Sequence, residues 1–146
     1  MKISDEYKSS WRAQSTKNDT PWGHEYIWAA LRGINGKCLF IRAGERTSLK
    51  YYTQKDEVLF LRKGLAEVTH GDEHSLDNPK VFPMRITKLR EGELMCLQAG
   101  CPYRITAIED CEVFEIGNAT DSSLIRVEDD YGRISAKNNE KLAENK

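Results

Sequence analysis

Three side chains suited to acid–base chemistry lie close together in the segment between Gly44 and Gly64. Lys50 and Tyr52 point to the same side of a predicted strand, because alternate residues of a strand share a face. Glu57 begins the next predicted strand. An ammonium, a phenol and a carboxylate are groups that proteins use to stabilise charge and to move protons. The segment therefore predicts a polar site between two strands.

The apolar pattern around this segment predicts the strands that would position it. Short runs rich in β-branched and aromatic residues recur along the chain, among them KCLFIRA, EVLFLRKG, YRITAI and CEVFEIG. Turn signals containing glycine, asparagine or aspartate separate these runs about every eight to twelve residues, with little helical periodicity. This arrangement is typical of antiparallel sandwiches and barrels. We therefore predict an all-β fold.

Two glycine-bounded segments resemble the pair of motifs of the cupin superfamily. In the first motif of that superfamily, two histidines and a glutamate follow a glycine; here the same spacing places Lys50, Tyr52 and Glu57 after Gly44. In the second motif a histidine follows a turn with glycine, and Tyr103 stands in its place within GELMCLQAGCPYRITA. The spacing is kept in both motifs while the residue types change. The resemblance implies a cupin-type double-stranded β-helix, which is a jelly-roll barrel.

A narrower resemblance covers most of the chain, from about Pro21 to Arg133. The segments PWGHE, SLKYY and EDDYGR are similar to the opening, middle and closing segments of the cupin domain of type II mannose-6-phosphate isomerases. This resemblance implies isomerase chemistry on a sugar phosphate in carbohydrate metabolism. We predict a polar N-terminal segment at residues 1–20, a cupin domain at residues 21–134, and a charged, flexible tail at residues 135–146.

In the isomerases that the chain resembles, four side chains hold a metal ion, and their positions correspond here to Lys50, Tyr52, Glu57 and Tyr103. Only the glutamate is unchanged. A protonated lysine has no lone pair, and phenols with an ordinary pKa near 10 are poor ligands until they ionise. We therefore predict no metal ion and no other cofactor in this site. A metal centre with unusual ligands is the least favoured alternative, because a solvated loop better explains the two histidines of HGDEH.

One hypothesis gives the substituted residues a catalytic role. Aldose–ketose isomerisation moves a proton between adjacent carbons through an enediol, so it requires a base and a group that polarises the carbonyl. Glu57 is the predicted base, Lys50 the cation in place of the metal, and Tyr52 or Tyr103 the acid. A Schiff base on Lys50 is an alternative. The side chains predicted to hold the sugar or sugar phosphate are polar or cationic: Arg46, Arg62, Gln98 and Arg104.

A second hypothesis involves no reaction. In this case the chain is a non-catalytic cupin that serves as a binding or assembly module, and a Lys50–Glu57 ion pair with the two tyrosines fills the former active site. Such a buried pair is tolerated only with close hydrogen bonding. Direct pairing of Lys50 with Glu57 would favour this module, whereas an open polar pocket around Lys50 would favour binding of a small molecule.

Composition and charge narrow the range of partners. The formal net charge is −1 with 31% charged residues, so nucleic acid and anionic membranes are not expected partners. No apolar run approaches the about 20 residues of a membrane span, and the first residues do not resemble a signal peptide. The four cysteines lack the paired spacings of a metal site, so we predict that their thiols are reduced. Together these features predict a soluble, cytoplasmic protein. The cupin resemblance implies a homodimer, because cupins commonly dimerise through edge strands and an open sandwich has exposed edges to cover.

Overall fold

Eleven β-strands make up the regular secondary structure in the part of the chain that the structure describes. The structure is a computed structural model, and it describes residues 8–118 and 124–134. The strands are β1 (Thr16–Thr20), β2 (Gly23–Leu31), β3 (Ile34–Ile41), β4 (Leu49–Tyr52), β5 (Glu57–Lys63), β6 (Leu65–His70), β7 (Arg85–Arg90), β8 (Leu94–Leu97), β9 (Tyr103–Ala107), β10 (Cys111–Gly117) and β11 (Leu124–Glu128). The predicted all-β class is confirmed. Among the described residues no helix is long and apolar enough to cross a membrane.

The strands form two antiparallel sheets. The first sheet has six strands in the order β1-β2-β3-β10-β5-β8, and the second has five in the order β11-β4-β9-β6-β7. The chain changes sheet repeatedly, since β3 and β5 belong to the first sheet and β4 and β6 to the second. Such crossings produce a jelly roll, in which inward-pointing side chains of both sheets share one interior.

An apolar layer between the sheets holds them together. Leu59 and Leu61 of β5 and Val113 of β10 are buried in it, and they belong to the same cluster as Val68 of β6 and Ile105 of β9. Full burial of an apolar side chain of this size stabilises the folded state by about 1.5–3 kcal/mol. This layer is the main physical reason that the two sheets stay packed.

One end of the same interior is polar. Alternate residues of both strands are buried. In β5 the buried Glu57 comes before the buried Leu59, and in β10 the buried Glu115 comes after the buried Val113. Because β5 and β10 are antiparallel, with Glu115 opposite Leu59 and Gly117 opposite Glu57, the two glutamates arrive at the same end of the barrel. The fold therefore concentrates buried acids where the predicted site lies.

Gly64 allows the chain to pass from β5 in the first sheet to β6 in the second. Its φ is +97°, a left-handed value that side chains other than glycine rarely adopt. A Cβ atom at this position would lie 2.3 Å from the backbone oxygen of Asp110. Both observations explain why glycine occupies this crossing.

The first sheet extends into the predicted N-terminal segment. β1 pairs with β2 from Thr16 opposite Ile27 to Thr20 opposite Gly23, so residues 16–20 belong to the sheet. The predicted tail at residues 135–146 lies outside the described residues, as do residues 1–7 and 119–123.

The segment that follows β11 is tied to the loop before β4. Arg46 donates to both carboxylate oxygens of Asp130, at 2.6 and 2.8 Å. The hydroxyl of Tyr131 donates to the carboxylate of Glu45 at 2.5 Å and to the backbone oxygen of Arg46 at 3.1 Å. These contacts hold β11 beside β4, and β11 carries Arg126 into the polar end of the barrel.

Candidate functional site

The four side chains predicted to form the site come together inside the barrel. Lys50 of β4 lies directly opposite Tyr103 of β9 in the strand register, and its Nζ is 4.5 Å from the centre of the Tyr103 ring. The Tyr103 hydroxyl donates to Glu57 Oε2 at 2.5 Å, across the gap between the sheets. Tyr52 follows Lys50 by two positions and shares its inward face. The motif spacing thus identified four neighbouring side chains, although that does not test what they do.

Glu57 is paired with Lys55. Lys55 Nζ lies 2.8 Å from Glu57 Oε1, 3.6 Å from Glu115 Oε1 and 3.3 Å from Asn35 Oδ1. It also lies 4.5 Å from the centre of the Tyr52 ring, and the residue is buried. The predicted direct Lys50–Glu57 pair is therefore wrong. Lys55 comes from the short loop between β4 and β5, and that loop brings its ammonium between the two carboxylates.

Glu57 and Glu115 behave as one acid pair. Burial and the neighbouring Glu57 carboxylate raise the pKa of Glu115 to about 7. Burial acts in the same direction on Glu57, but hydrogen bonds from Glu115, Lys55 and Tyr103 outweigh it and hold the pKa of Glu57 below its ordinary value. The proton of the pair therefore resides on Glu115, which donates to the Glu57 carboxylate. Like-charge repulsion within the pair is removed by this arrangement.

Lys50 has only weak partners. Its Nζ donates to Thr47 Oγ1 at 3.3 Å and to the backbone oxygen of Ser48 at 3.4 Å, both long for an ammonium. Burial lowers the pKa of Lys50 to about 8; Glu115 and Glu57 act against this change, while Arg126 adds to it. Arg126 lies opposite Lys50 in the β4–β11 register. Two cations thus face the interior side by side.

Arg126 has an unsatisfied group at the same place. Its Nε is buried and has no hydrogen-bond partner within the described ranges, residues 8–118 and 124–134. Burial is the main cause that lowers the pKa of its guanidinium, and nearby Arg133 acts in the same direction. A buried donor without a partner is costly, so this position favours a ligand that accepts a hydrogen bond.

The tyrosines keep their protons. Burial and the nearby glutamates raise the pKa of Tyr52 and of Tyr103 well above the ordinary value. Both phenols are therefore hydrogen-bond donors at neutral pH, and neither offers a phenolate to a metal ion.

The donor set does not fit a metal ion. Of the four positions that hold the metal in the isomerases that the sequence resembles, only Glu57 is a carboxylate, and the Lys55 ammonium already contacts it. In the described part of the chain no three histidine, cysteine or acidic side chains form a group that could hold a metal. We therefore assign no chemical step to a metal here.

Several solved structures have a fold similar to that of this chain. No family model matches the sequence, and no curated protein matches it. Among solved structures, KdgF from Halomonas sp. is similar with a TM-score of 0.60 and 15% identity over 72% of this chain and 88% of that chain. Oxalate decarboxylase from Lactobacillus farciminis, in its formate complex, has a TM-score of 0.64 and 15% identity over 77% of this chain and 33% of that chain. The vicilin from Solanum melongena has a TM-score of 0.56 and 16% identity over 75% of this chain and 30% of that chain. All three are cupin-fold proteins.

The chain has a cupin-type fold. The predicted cupin-type jelly-roll barrel is thereby confirmed. At these identities the likeness concerns the fold alone, so the resemblance to mannose-6-phosphate isomerases stays a prediction. The cupin barrel spans most of KdgF but only about a third of the decarboxylase and vicilin chains.

The residues predicted to hold the substrate are spread around the cupin barrel. Arg46 pairs with Asp130, and Arg62 Nη1 donates to Glu112 at 2.5 Å on the outer face of the first sheet. Arg104 points away from Tyr103, and its Nε donates to the backbone oxygen of Thr47 at 3.0 Å. Gln98 lines a cavity of about 470 Å³ that also touches Glu57. Of these four side chains, Gln98 shares a cavity with Glu57, whereas the three arginines have partners elsewhere.

Substitution of Arg46 by Ala tests whether this arginine belongs to a binding site. Because Arg46 and Asp130 are both exposed, we expect the free energy of unfolding to fall by less than about 1 kcal/mol and any ligand affinity to stay unchanged. Urea denaturation and ligand titration of the variant check this. A tenfold loss of affinity would place Arg46 in the site after all.

Three site residues were missed by sequence reasoning: Lys55, Glu115 and Arg126. A signal existed for Glu115, because strand alternation in CEVFEIG puts it on the same side as buried Cys111 and Val113. Lys55 lies in a loop, where no periodicity indicates direction. Arg126 is placed by the pairing of β11 with β4, which the sequence alone does not reveal.

Proposed function

We propose that this cupin barrel binds a small anionic carbohydrate, such as a sugar phosphate or a sugar acid, in its polar end without a metal ion. The observation that carries this proposal is the pair of inward cations, Lys50 and Arg126, with an unsatisfied buried Nε and two long hydrogen bonds. An anion between them would accept hydrogen bonds from both groups. Arginine is particularly suited to this task, since its fork of donors matches carboxylate and phosphate oxygens.

The charge balance of the interior supports an anion. Glu25 lies 3.6 Å from Lys37, and Glu57 lies 2.8 Å from Lys55, so each ionised acid has its own cation. Glu115 retains a proton up to about pH 7. Within the described residues Lys50 and Arg126 have no carboxylate within ion-pair distance, and an anionic ligand would balance them.

Two proteins of similar fold have anions as ligands. The oxalate decarboxylase was solved with formate bound, and the vicilin has different anionic ligands in structurally similar pockets. These are statements about those proteins. For this chain they support only the choice of small anions as the first ligands to test.

Proton transfer on the bound sugar is the second candidate function. Glu57 already accepts hydrogen bonds from three groups, which makes it a weak base. Lys50 has a pKa of about 8 and lies beside Tyr103, so the neutral amine is the stronger base in the site. In an aldose–ketose isomerisation it would take the proton from the carbon next to the carbonyl and return it to the adjacent carbon. A phenol would move the hydroxyl proton.

Ligand titration of matched variants tests the binding proposal. We expect a sugar phosphate or sugar acid to raise the thermal unfolding midpoint of the wild type, while the uncharged parent sugar does not. Lys50→Met and Arg126→Met should each weaken binding at least about tenfold, because each removes a charge-assisted hydrogen bond. Lys88→Met, which changes an exposed lysine of β7, is the matched control and should bind like the wild type.

The negative result is equally informative. If no anion at millimolar concentration stabilises the protein, or if Lys50→Met binds as well as the wild type, the binding proposal fails and the barrel is better explained as a non-catalytic assembly module. Incorporation of deuterium from solvent into a bound aldose phosphate, followed by NMR, separately tests the isomerase step. Binding without exchange would leave a binding protein.

A further inference from the structure

The outer face of the six-stranded sheet carries a broad apolar surface that the interior site does not use. Side chains that point outward from β2, β3, β10, β5 and β8 lie in two adjacent rows across these five strands. The first row is Tyr26, Cys38, Phe114, Phe60 and Leu94. The second row is Gly36, Ile116, Val58 and Cys96, and it ends at Trp28, which the β2–β3 register skips at a bulge and whose indole lies over Gly36. We call these ten residues the aromatic face. None of them is charged.

The aromatic face is packed and yet exposed. The rings of Phe60 and Phe114 stack with their centres 6.3 Å apart. The indole of Trp28 lies over Gly36, where an added Cβ would come within 2.9 Å of it. Phe114 and Ile116 nevertheless remain 36% and 46% exposed in the middle of the sheet.

Exposed apolar residues are concentrated here. Among the described residues, eleven large apolar side chains are exposed, and six of them lie on the aromatic face or at the turn that continues it: Trp28, Leu31, Ile34, Leu94, Phe114 and Ile116. Scattered apolar residues are ordinary on protein surfaces, but a contiguous patch marks a surface that another molecule covers.

We propose that a second copy of this chain covers the aromatic face, and that the two copies are related by a two-fold axis parallel to β10. This proposal is independent of the ligand site. The axis lays β2 of one copy against β8 of the other, because β10 is the middle strand of the five. The bulky Tyr26 and Trp28 then meet the smaller Leu94 and Cys96, and the same fit recurs on the other side of the axis. The shape of the face is therefore complementary to itself.

The size of the face suits a dimer. Five strands spaced about 4.8 Å apart, over about five residues of roughly 3.4 Å each, cover roughly 400–500 Å² in plan once the side chains at the margins are included. The accessible area of the face is larger than this projected area, because the side chains protrude from the sheet. It is therefore closer to the about 800 Å² that each partner contributes to a standard interface. Sheets commonly pack face to face with their strands nearly aligned, as this axis requires.

The charges at the margin are compatible with a copy of the same chain. At one end of the face Arg62 and Glu112 form an ion pair, so both signs are present together. A two-fold axis therefore brings no net repulsion between the two copies. Depletion of charge at the centre with polar residues at the rim is the usual composition of homodimer interfaces.

Sedimentation equilibrium of matched variants tests the proposal. The wild type should be a dimer at micromolar concentration. Ile116→Glu places a charge at the centre of the face and should raise the dimer Kd by roughly a hundredfold or more, because the charge would be buried without a partner. Ile86→Glu, at a more exposed position on β7 of the other sheet, is the control and should leave the dimer intact. Circular dichroism establishes that both variants are folded.

Disulfide trapping tests the direction of the axis. Trp28→Cys introduces a thiol on β2, which lies four strands away from Cys96 within one chain and too far for a disulfide. The variant also carries Cys38→Ser, because Cys38 on the neighbouring strand contacts residue 28 and would otherwise form a disulfide within the chain. Oxidation should therefore give a covalent dimer that Cys96→Ser abolishes. A disulfide between two copies of position 28 would overturn the axis along β10. A wild type that is monomeric at about 100 μM, or an Ile116→Glu variant that stays dimeric, would overturn the interface and leave the face to another partner or to this chain's own terminal segments.

Discussion

Lys55→Met is expected to lower the free energy of unfolding by about 3–5 kcal/mol at pH 7, because it removes the cation from a buried acid pair. Lys55 Nζ lies 2.8 Å from Glu57 and 3.6 Å from Glu115, and all three side chains are buried. Methionine has a similar length and leaves no large cavity, so the loss reports charge and not packing. Urea denaturation of wild type and variant measures the effect.

Two further variants isolate the cause. Combining Lys55→Met with Glu115→Gln should recover most of the lost stability, since a single carboxylate that accepts from Tyr103 and from an amide needs the ammonium less. Lys50→Met should not destabilise the protein comparably, because burial already disfavours the charged form of Lys50. If Lys55→Met costs less than about 1 kcal/mol, the Lys55 ammonium does not lie between the carboxylates in solution.

The barrel was predictable from the sequence because its strands are short, alternating and punctuated by turns. The two motifs added the specific architecture, since their glycines stand at crossings such as Gly64, where the backbone has a left-handed φ. β1 was not predictable. Its sequence, TKNDT, has no apolar residue to indicate a strand, and the strand exists because an edge of the sheet is available to it.

The site was predictable only in part, and the reason is physical. Lys50, Tyr52, Glu57 and Tyr103 stand at motif positions on inward faces, so spacing alone located them. The ion pair was assigned to the wrong lysine because pairing depends on where a loop aims a flexible side chain. Lys50 and Lys55 both reach the interior, but only Lys55 lies within ion-pair distance of Glu57.

The charges at the polar end of the barrel have separate partners. Lys55 neutralises Glu57 by direct contact, whereas Lys50 and Arg126 lie side by side in the strand register. Under the proposed function, these two cations would receive the anion. That no metal binds stays a prediction, which elemental analysis of the purified protein tests.

The stability of the protein is expected to fall as the pH rises from about 4.5 to about 7, through the titration of Glu115. In the unfolded chain this carboxyl group loses its proton near its ordinary pKa of 4.5, whereas in the native state the pKa is about 7. Between these values the native state binds more protons than the unfolded state, so raising the pH favours unfolding. A shift of this size corresponds to a loss on the order of 3 kcal/mol.

Glu115→Gln provides the measurement, because glutamine can still donate to Glu57 but does not titrate. The difference in unfolding free energy between wild type and variant, measured in urea at intervals from pH 4.5 to pH 8, should change by about 3 kcal/mol in favour of the variant. His70 has a lowered pKa and titrates in the same window, but it is present in both proteins and cancels in the difference. Lys50 acts mainly above pH 8, where its low native pKa makes stability rise with pH. Parallel curves for wild type and Glu115→Gln would mean that Glu115 is ionised throughout, and the shared proton that links it to Glu57 would have to be abandoned.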